Sequence, residues 1–313
     1  MFLNSNVQPI VLVCAADNNY AMPLAVTVRS AIANLKKNHK VALYVLDGGI
    51  TEANKHRISK SLNHEQVSIL WVQPDETLFE NLVLTRHLTL ACYYRLLITE
   101  FLPSEFHKAI YLDTDMIVTG DLAELWAIDM GDNYALAVQD DVELYIGMSE
   151  GLRNYREVGI CPDYKYFNSG LLVINLDKWR ADDIGSKVIE YIRQNREYVR
   201  NDQDGLNAVL AGKWGELHPK WNQMPQIHQY SSWKDSPFTE EIYDELRHRP
   251  CIIHFTNSPK PWYAGLQAEC KHPKKHLFFQ YLDMTDWSGW RDTFWRRLWR
   301  KFMKATSLTT SKL

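Results

Sequence analysis

Residues 109–118 read Ala-Ile-Tyr-Leu-Asp-Thr-Asp-Met-Ile-Val, an apolar run interrupted by two aspartates that are one residue apart. In an extended chain, residues i and i+2 point to the same side, so Asp113 and Asp115 can face one point at the end of a buried strand. Two carboxylates this close in an apolar segment repel each other unless a cation neutralises them. The pattern therefore predicts a site for a hard divalent ion, Mg²⁺ or Mn²⁺. A plain surface turn, in which aspartate is common, is the alternative.

Apolar runs of strand length alternate with helical patterns on both sides of this segment. The predicted strands cover residues 9–16, 41–46, 67–72, 134–138, 171–175 and 251–255. The predicted helices begin at Pro23, after an N-cap at Thr51, and at residues 89, 182 and 201. This alternation predicts an α/β fold with a mostly parallel central sheet flanked by helices. In such sheets the ligand crevice lies at the carboxyl ends of the strands.

The composition sets limits on the class of protein. The chain has 313 residues, of which 46% are hydrophobic, and a net charge of -3, so no overall basic field predicts a nucleic-acid partner. Its five cysteines are far apart and odd in number, which indicates reduced thiols in the cytoplasm. The N-terminus does not resemble a secretory signal, and no apolar run reaches the roughly 18 residues of a spanning helix. We therefore expect a cytoplasmic protein.

Several polar residues stand where a ligand could be bound. Asp17 and Asn19 follow the first predicted strand, where their side chains would contact a nucleotide if one binds, or form an ordinary loop. Arg95 lies in an apolar segment and needs an anionic partner, either a carboxylate of the protein or a phosphate. Asp140 and Asp141 form a second acidic pair at a strand end.

The C-terminal region has a different character. Residues 294–304 are basic and aromatic, and Trp295, Leu298, Trp299 and Phe302 share one face at helical spacing. Such a helix can lie on an anionic membrane surface, or it can dock on the body of the protein. We expect the membrane surface, with the protein peripheral at the inner face of the cell membrane.

Eight segments, in register, carry a resemblance to a known family. They are residues 15–20 (Ala-Ala-Asp-Asn-Asn-Tyr), 44–50, 94–96, 111–115, 166–170 (Tyr-Phe-Asn-Ser-Gly), 202–204 (Asp-Gln-Asp), 221–225 (Trp-Asn-Gln-Met-Pro), and His254 with residues 260–262. Over about residues 9–266 the chain resembles a retaining glycosyltransferase of family 8, the family of bacterial lipopolysaccharide galactosyl- and glucosyltransferases. The basic aromatic tail is also similar to that of the lipopolysaccharide enzymes.

The resemblance implies a GT-A nucleotide-sugar-binding fold in residues 1–266, a C-terminal region in residues 267–313, and transfer of galactose or glucose from a UDP-sugar to a glycan or glycolipid acceptor. It implies Mn²⁺ (or Mg²⁺) held by Asp113, Asp115 and His254. The implied nucleotide-binding residues are Ala15, Asp17, Asn19, Tyr20, Thr114 and Lys260. The implied sugar-binding residues are Arg95, Asn168, Asp202 and Gln203, and Gln203 and Asp140 are the candidates beside the reacting carbon. Asn257 stands where family members often have glycine.

Two other functions fit parts of the sequence. A metal-dependent nucleotidyltransferase also uses acidic strand ends in an α/β sheet, but it would normally show an early glycine-rich phosphate loop, which this chain lacks. A non-enzymatic sugar-binding or membrane-adaptor protein would also use the many aromatic residues. The resemblance favours the glycosyltransferase.

Overall fold

The structure is a computed structural model that describes residues 8–80, 82, 89–262, 269–291, 295, 298 and 299. Its strands are β1 (Ile10–Asp17), β2 (Val41–Gly48), β3 (Val67–Val72), β4 (Lys108–Leu112), β5 (Met116–Val118), β6 (Ala135–Gln139), β7 (Phe167–Asn175), β8 (Trp214–Glu216) and β9 (Ile252–His254). Its α-helices are α1 (Ala21–Asn34), α2 (Glu52–Ser61), α3 (Ile98–Phe101), α4 (Leu122–Trp126), α5 (Leu176–Ala181), α6 (Ile184–Gln194), α7 (Asp202–Val209), α8 (Glu240–His248) and α9 (Lys275–Leu282).

The central sheet has the strand order β3-β2-β1-β4-β7-β6-β8. The first four strands in this order run parallel, and β8 runs parallel to β6. Strand β7 is antiparallel to both of its neighbours, β4 and β6. The predicted α/β class with a mostly parallel sheet is therefore confirmed.

Side chains of β1 show why this sheet is buried on both faces. Leu12 and Cys14 pack in one apolar cluster with α1, whereas Val11 and Val13 pack in a second cluster on the opposite face with α6. Successive side chains of a strand point to opposite faces, so a continuous apolar run fills both clusters. The sheet edge that carries Asp17 is thereby left as the surface on which polar side chains can meet.

Local signals place several helices correctly. The hydroxyl of Thr51 accepts a hydrogen bond from Asn54 N at the start of α2, and Asn201 Oδ1 accepts one from Asp204 N at the start of α7. Both residues are the predicted N-caps. The helix predicted from Pro23 begins two residues earlier, at Ala21.

Two other segments are arranged differently from the expected pattern, and a third prediction is not tested. The segment 89–101 is not one α-helix: it forms 3₁₀ turns at Leu90–Cys92 and Tyr94–Leu97 before the short α3. Strand β9 pairs with β5 in a separate two-stranded sheet, because the chain leaves the central sheet after β4. Most of the basic aromatic segment 294–304 lies outside the described residues, so its helix stays a prediction there.

Helix α9 packs on the body of the protein. The hydroxyl of Tyr281 accepts a hydrogen bond from Asn34 Nδ2 at 2.8 Å, and the guanidinium of Arg57 pairs with Asp286 at 3.2 Å and lies over the Trp287 ring. The described residues 269–291 thus share the main apolar core, while the proposed division at residue 266 stays a prediction. None of the helices in the described ranges is long and apolar enough to cross a membrane.

Candidate active site

The two aspartates of the opening segment lie in the turn between β4 and β5. The backbone N–H of Asp113 donates to the carbonyl of Gly170 at 2.8 Å, which fixes the turn against β7. His254 is brought opposite Met116 by the antiparallel pairing of β5 with β9. Its Nε2 lies 3.2 Å from Asp115 Oδ1 and 4.0 Å from Asp113 Oδ2. One local turn and one long-range strand pair therefore assemble the three predicted metal ligands.

The geometry of this trio fits a divalent cation. One ligand atom from each of the three residues lies within 4.8 Å of the others. Ligands of an octahedral Mg²⁺-like ion are bonded at about 2.1 Å, so neighbouring ligand atoms are about 3–4 Å apart. Two carboxylates and an imidazole are suitable donors for Mn²⁺ and Mg²⁺. Asp113 and Asp115 also line the cleft, where a substrate could supply further ligands to such an ion.

Gly170 has no side chain, and its absence leaves space for the side chains of the three predicted metal ligands. A Cβ at this position would lie 2.4 Å from Cε1 of His254 and 2.9 Å from Oδ2 of Asp113. Only a residue without a side chain lets β7 approach the imidazole and the carboxylate so closely. The Asn-Ser-Gly order at residues 168–170 is therefore a steric condition for the site.

Lys260 adds a positive charge to the same corner. Its ammonium donates to Asp115 Oδ2 at 2.8 Å and to the carbonyls of Phe255 and Thr256 at 2.5 and 2.9 Å. Burial by itself would raise the pKa of Asp115, but Lys260 and His254 lower that pKa well below its usual range. Asp115 is thereby held ionised, as a metal ligand must be.

Arg95 connects the metal corner to the opposite side of the cleft. The side chain is 4% exposed; its NH2 donates to Asp113 Oδ1 at 2.7 Å and its NH1 donates to the carbonyl of Ser169 at 2.7 Å. The guanidinium also lies 4.4 Å from the centre of the Tyr111 ring. A buried arginine needs anionic partners, and the partners of Arg95 are carboxylates of the protein.

Asp202 is the second carboxylate beside Arg95, and it is less well compensated. Arg95 Nε lies 3.0 Å from Asp202 Oδ2, but its N–H donates to the carbonyl of Cys92. Oδ2 is buried and accepts no hydrogen bond from the described residues. Burial raises the pKa of Asp202 to about 6, even though Arg95 acts in the other direction.

The candidates for the reacting face form one hydrogen-bonded group. Gln203 Oε1 accepts from Ser169 N at 3.0 Å, and Gln203 Nε2 donates to Asp140 Oδ2 at 3.3 Å. Asn168 Nδ2 donates to the same oxygen of Asp140 at 3.2 Å. Gln203 lines the cleft, whereas Asp140 and Asn168 are buried behind it.

The nucleotide end of the cleft is built on the carboxyl end of β1. Asp17 Oδ1 accepts hydrogen bonds from the backbone N–H groups of Asn19 and Tyr20, and the Asn19 side chain is exposed. The cleft has a volume of about 220 Å³. The predicted site residues that line it are Ala15, Asp17, Tyr20, Arg95, Asp113, Thr114, Asp115, Asp202 and Gln203. Asn19 is not among the lining residues.

Sequence reasoning missed three residues that shape the site. The hydroxyl of Tyr111 donates to Asp113 Oδ1 at 3.1 Å. The carbonyl of Ser169 accepts from Arg95, and the backbone N–H of Ser169 donates to Gln203. Asn222 lies 3.0 Å from Nδ1 of His254. All three are in segments that carried the family resemblance, but only the tertiary contacts reveal their roles. Asn257, which replaces the usual glycine, does not adopt a positive φ in this structure.

Comparison with known proteins agrees with this geometry. A sequence model described as glycosyl transferase family 8 matches residues 11–265. General stress protein A of Bacillus subtilis is 34% identical, over 88% of this chain and 94% of its own length. The lipopolysaccharide 1,2-glucosyltransferase of Escherichia coli is 26% identical, over 79% of this chain and 71% of its own length.

Among solved structures, the galactosyltransferase LgtC in complex with donor and acceptor sugar analogues is similar throughout. The two chains share 28% sequence identity with a TM-score of 0.74, and the match covers 88% of this chain and 96% of that one. This similarity confirms the GT-A fold. The residues that line the cleft lie within the residues 11–265 matched by the family model. The chain therefore belongs to glycosyltransferase family 8.

Proposed function

We propose that this protein is a retaining hexosyltransferase that moves galactose or glucose from a UDP-sugar to a hydroxyl of a glycan or glycolipid acceptor. The observation that carries the proposal is the convergence of Asp113, Asp115 and His254, of which the two aspartates line the cleft and His254 is buried beside them. These residues would hold Mn²⁺ or Mg²⁺, which acts as a Lewis acid toward a diphosphate when bound. The galactosyltransferase structure with donor and acceptor analogues supports this reading.

The residues of the metal corner would stabilise the leaving group. Breaking a sugar–phosphate bond builds negative charge on the departing diphosphate and positive charge on the anomeric carbon. The ammonium of Lys260, which pairs with Asp115, would add positive charge beside the diphosphate. Ala15, Asp17, Asn19, Tyr20 and Thr114 would contact the nucleotide, with Tyr20 packed edge-on against Trp262.

The opposite side of the cleft would hold the donor sugar. Asp202 lines the cleft, where its carboxylate could accept from sugar hydroxyls, which are donors. Gln203 would lie next to the reacting carbon, where its amide orients and stabilises but is a poor nucleophile. Both oxygens of Asp140 already accept two hydrogen bonds each, so Asp140 would act by holding Gln203 and Asn168 in place.

A donor screen tests the proposal directly. The protein is incubated with UDP-glucose, UDP-galactose or their N-acetyl forms, with Mn²⁺ or with EDTA, and released UDP is measured. We expect metal-dependent UDP release from one hexose donor, and an unchanged rate in the control variant Asp177→Asn, whose exposed side chain pairs with His107. Release of pyrophosphate from UTP and a sugar phosphate would instead support the nucleotidyltransferase. No UDP affinity by calorimetry with Mn²⁺ would support the non-enzymatic alternative.

We also propose that the C-terminal tail binds an anionic membrane surface. The described residues Trp295, Leu298 and Trp299 are 74%, 48% and 64% exposed, and their i, i+3, i+4 spacing puts them on one helical face. The sequence places arginines and lysines between and after them. Exposed tryptophans with flanking cations are typical of helices at a lipid interface.

Truncation after Arg291 tests the tail without removing Trp287 from the core. We expect the truncated protein to lose binding to anionic phospholipid vesicles while it still hydrolyses the donor in solution. Neutral vesicles serve as the control. Vesicle binding that survives the truncation would contradict the membrane role.

A further inference from the structure

We propose that Asn222 is the positioning residue that makes His254 a metal ligand, because it keeps a proton on Nδ1 and so presents Nε2 to the cation. The inference rests on the proposed metal site and concerns a residue outside the three ligands. A metal-bound imidazole is usually oriented by an acceptor on its second nitrogen. Here that acceptor is a neutral side-chain amide, 3.0 Å from Nδ1.

The backbone N–H of Gly170 determines which end of the Asn168 side-chain amide is the oxygen, and Asn168 in turn determines this for Asn222. The N–H of Gly170 can only donate, and it lies 3.1 Å from Oδ1 of Asn168, so that atom is an oxygen that accepts. The atom of Asn222 that lies 2.9 Å from the same oxygen must therefore be the NH₂ group. The other end of Asn222, which faces His254, is then its carbonyl oxygen. The orientation of the amides thus follows from their partners.

The tautomer of His254 follows from this orientation. Asn222 Oδ1 can only accept, so Nδ1 of His254 must be the nitrogen that donates. Nε2 is then the nitrogen that presents its lone pair to a cation between Asp113 and Asp115. A proton on Nε2 alone would set the Nδ1 lone pair against an oxygen. Reversing the Asn222 amide would set its oxygen against that of Asn168.

The backbone holds Asn222 in this place. Gln223 N donates to the carbonyl of Ile252 at 2.9 Å, and His254 N donates to the carbonyl of Gln223 at 2.9 Å. This parallel bridge sets residue 222 beside residue 254, and Asn222 is only 1% exposed. A carboxylate here would add another buried negative charge near Asp113, Asp115 and Asp140, which an amide avoids.

Mn²⁺ binding to the full chain, measured by electron paramagnetic resonance, tests the role of the amide. Asn222→Leu keeps the volume but removes the acceptor, and we expect Mn²⁺ affinity to fall about 10- to 100-fold. The control is Gln223→Leu, an equally buried neighbouring amide whose side chain donates to the carbonyl of Met224. We expect this control to bind Mn²⁺ within about threefold of wild type. Equal losses in the two variants would overturn the proposal.

A double-mutant cycle separates positioning from general damage. In a His254→Ala background, Asn222→Leu should reduce Mn²⁺ affinity by less than about twofold, because the imidazole that it orients is gone. The same large loss in both backgrounds would overturn the proposal.

A long-range ¹H–¹⁵N spectrum of the metal-free wild type needs no folded variant of Asn222. With His254 assigned by the signal that His254→Gln removes, we expect its Nδ1 to carry a proton. An unprotonated Nδ1 in the wild type would overturn the proposal. Because this readout uses no metal, it distinguishes failure of the proposal from failure of the proposed function, which would show as a wild type that binds neither Mn²⁺ nor Mg²⁺.

Discussion

Asp115, whose side chain is 13% exposed, and the buried Asp202 are two carboxylates of one cleft, and their surroundings affect the ionised form in opposite ways. Burial opposes ionisation of both, but Lys260 and His254 reverse its effect at Asp115, whereas at Asp202 the pKa is raised to about 6. The difference lies in how the cations are shared. Lys260 donates directly to Asp115, while Arg95 donates to Asp113 and lies near Asp202 without a directed hydrogen bond.

This contrast divides the cleft into two chemical halves. In the half around Asp115, the carboxylate is kept in its ionised form, as a cation site requires. The half around Asp202 keeps a carboxylate whose ionisation is opposed by burial. One shared guanidinium lies beside both the proposed metal corner and the proposed sugar corner.

Removal of the shared cation should have the largest effect. Arg95→Met leaves the buried Asp202 and the partly exposed Asp113 without their partner, and we expect the free energy of unfolding to fall by about 3–5 kcal/mol. Urea denaturation measures the change. Arg57→Met is the control: its pair with Asp286 is 38% and 23% exposed, so its loss should cost no more than about 1 kcal/mol. Similar losses for the two variants would mean that Arg95 does not hold the halves together.

The metal half alone is tested by Asp115→Asn. We expect UDP affinity in the presence of Mn²⁺ to fall at least about 100-fold, since a ligand and its charge are both lost. Calorimetry measures the affinity, and circular dichroism should show an unchanged fold. Affinity close to that of the wild type would remove Asp115 from the metal site.

The sugar half is tested by the pH dependence of stability. The folded-state pKa of Asp202, about 6, lies above the unfolded value of about 4, so this group favours folding below about pH 4 and loses that effect as pH rises through 6. Asp202→Asn cannot titrate. The stability of the wild type relative to this variant should therefore fall by about 1–3 kcal/mol between pH 4 and pH 6. If the stabilities of the wild type and of Asp202→Asn change in parallel with pH, the burial of the Asp202 carboxylate is offset by nearby positive charge as fully as that of Asp115.

A smaller effect is expected from Gly170→Ala, which crowds only the metal half. The added Cβ must displace the imidazole of His254 or the carboxylate of Asp113, and we expect Mn²⁺ affinity to fall about tenfold. Gly215→Ala is the matched control, because its Cβ would meet Leu136 and Asn133 at a distant edge of the sheet. The control should lose stability but not Mn²⁺ affinity.

Local patterns in the sequence predicted much of this molecule. The Asp-x-Asp spacing, the caps Thr51 and Asn201, and most strand positions depend on neighbours in the chain, and the structure places them as expected. The position of Arg95 in an apolar segment also predicted a carboxylate or phosphate partner correctly.

What the sequence could not provide depends on pairing between distant segments. The antiparallel direction of β7 is set by its neighbours β4 and β6 rather than by its own residues. The segment 89–101 has apolar residues at helical spacing, and this spacing predicted an α-helix. The segment forms 3₁₀ turns instead, and from these turns Arg95 donates to the carbonyl of Ser169. Asn222 carried no sign of its contact with His254, because that contact needs the bridge between Gln223 and Ile253.

The pairing of β5 with β9 also has a consequence for how the enzyme matures. Asp115 and His254 are far apart in the chain and meet only when the strand Ile252–His254 docks beside Met116–Val118. During synthesis, the nascent polypeptide consequently has no complete cation-binding centre until that late strand has emerged from the ribosome. Assembly of the proposed metal site is thereby tied to a strand pairing that can form only after most of the chain has been made.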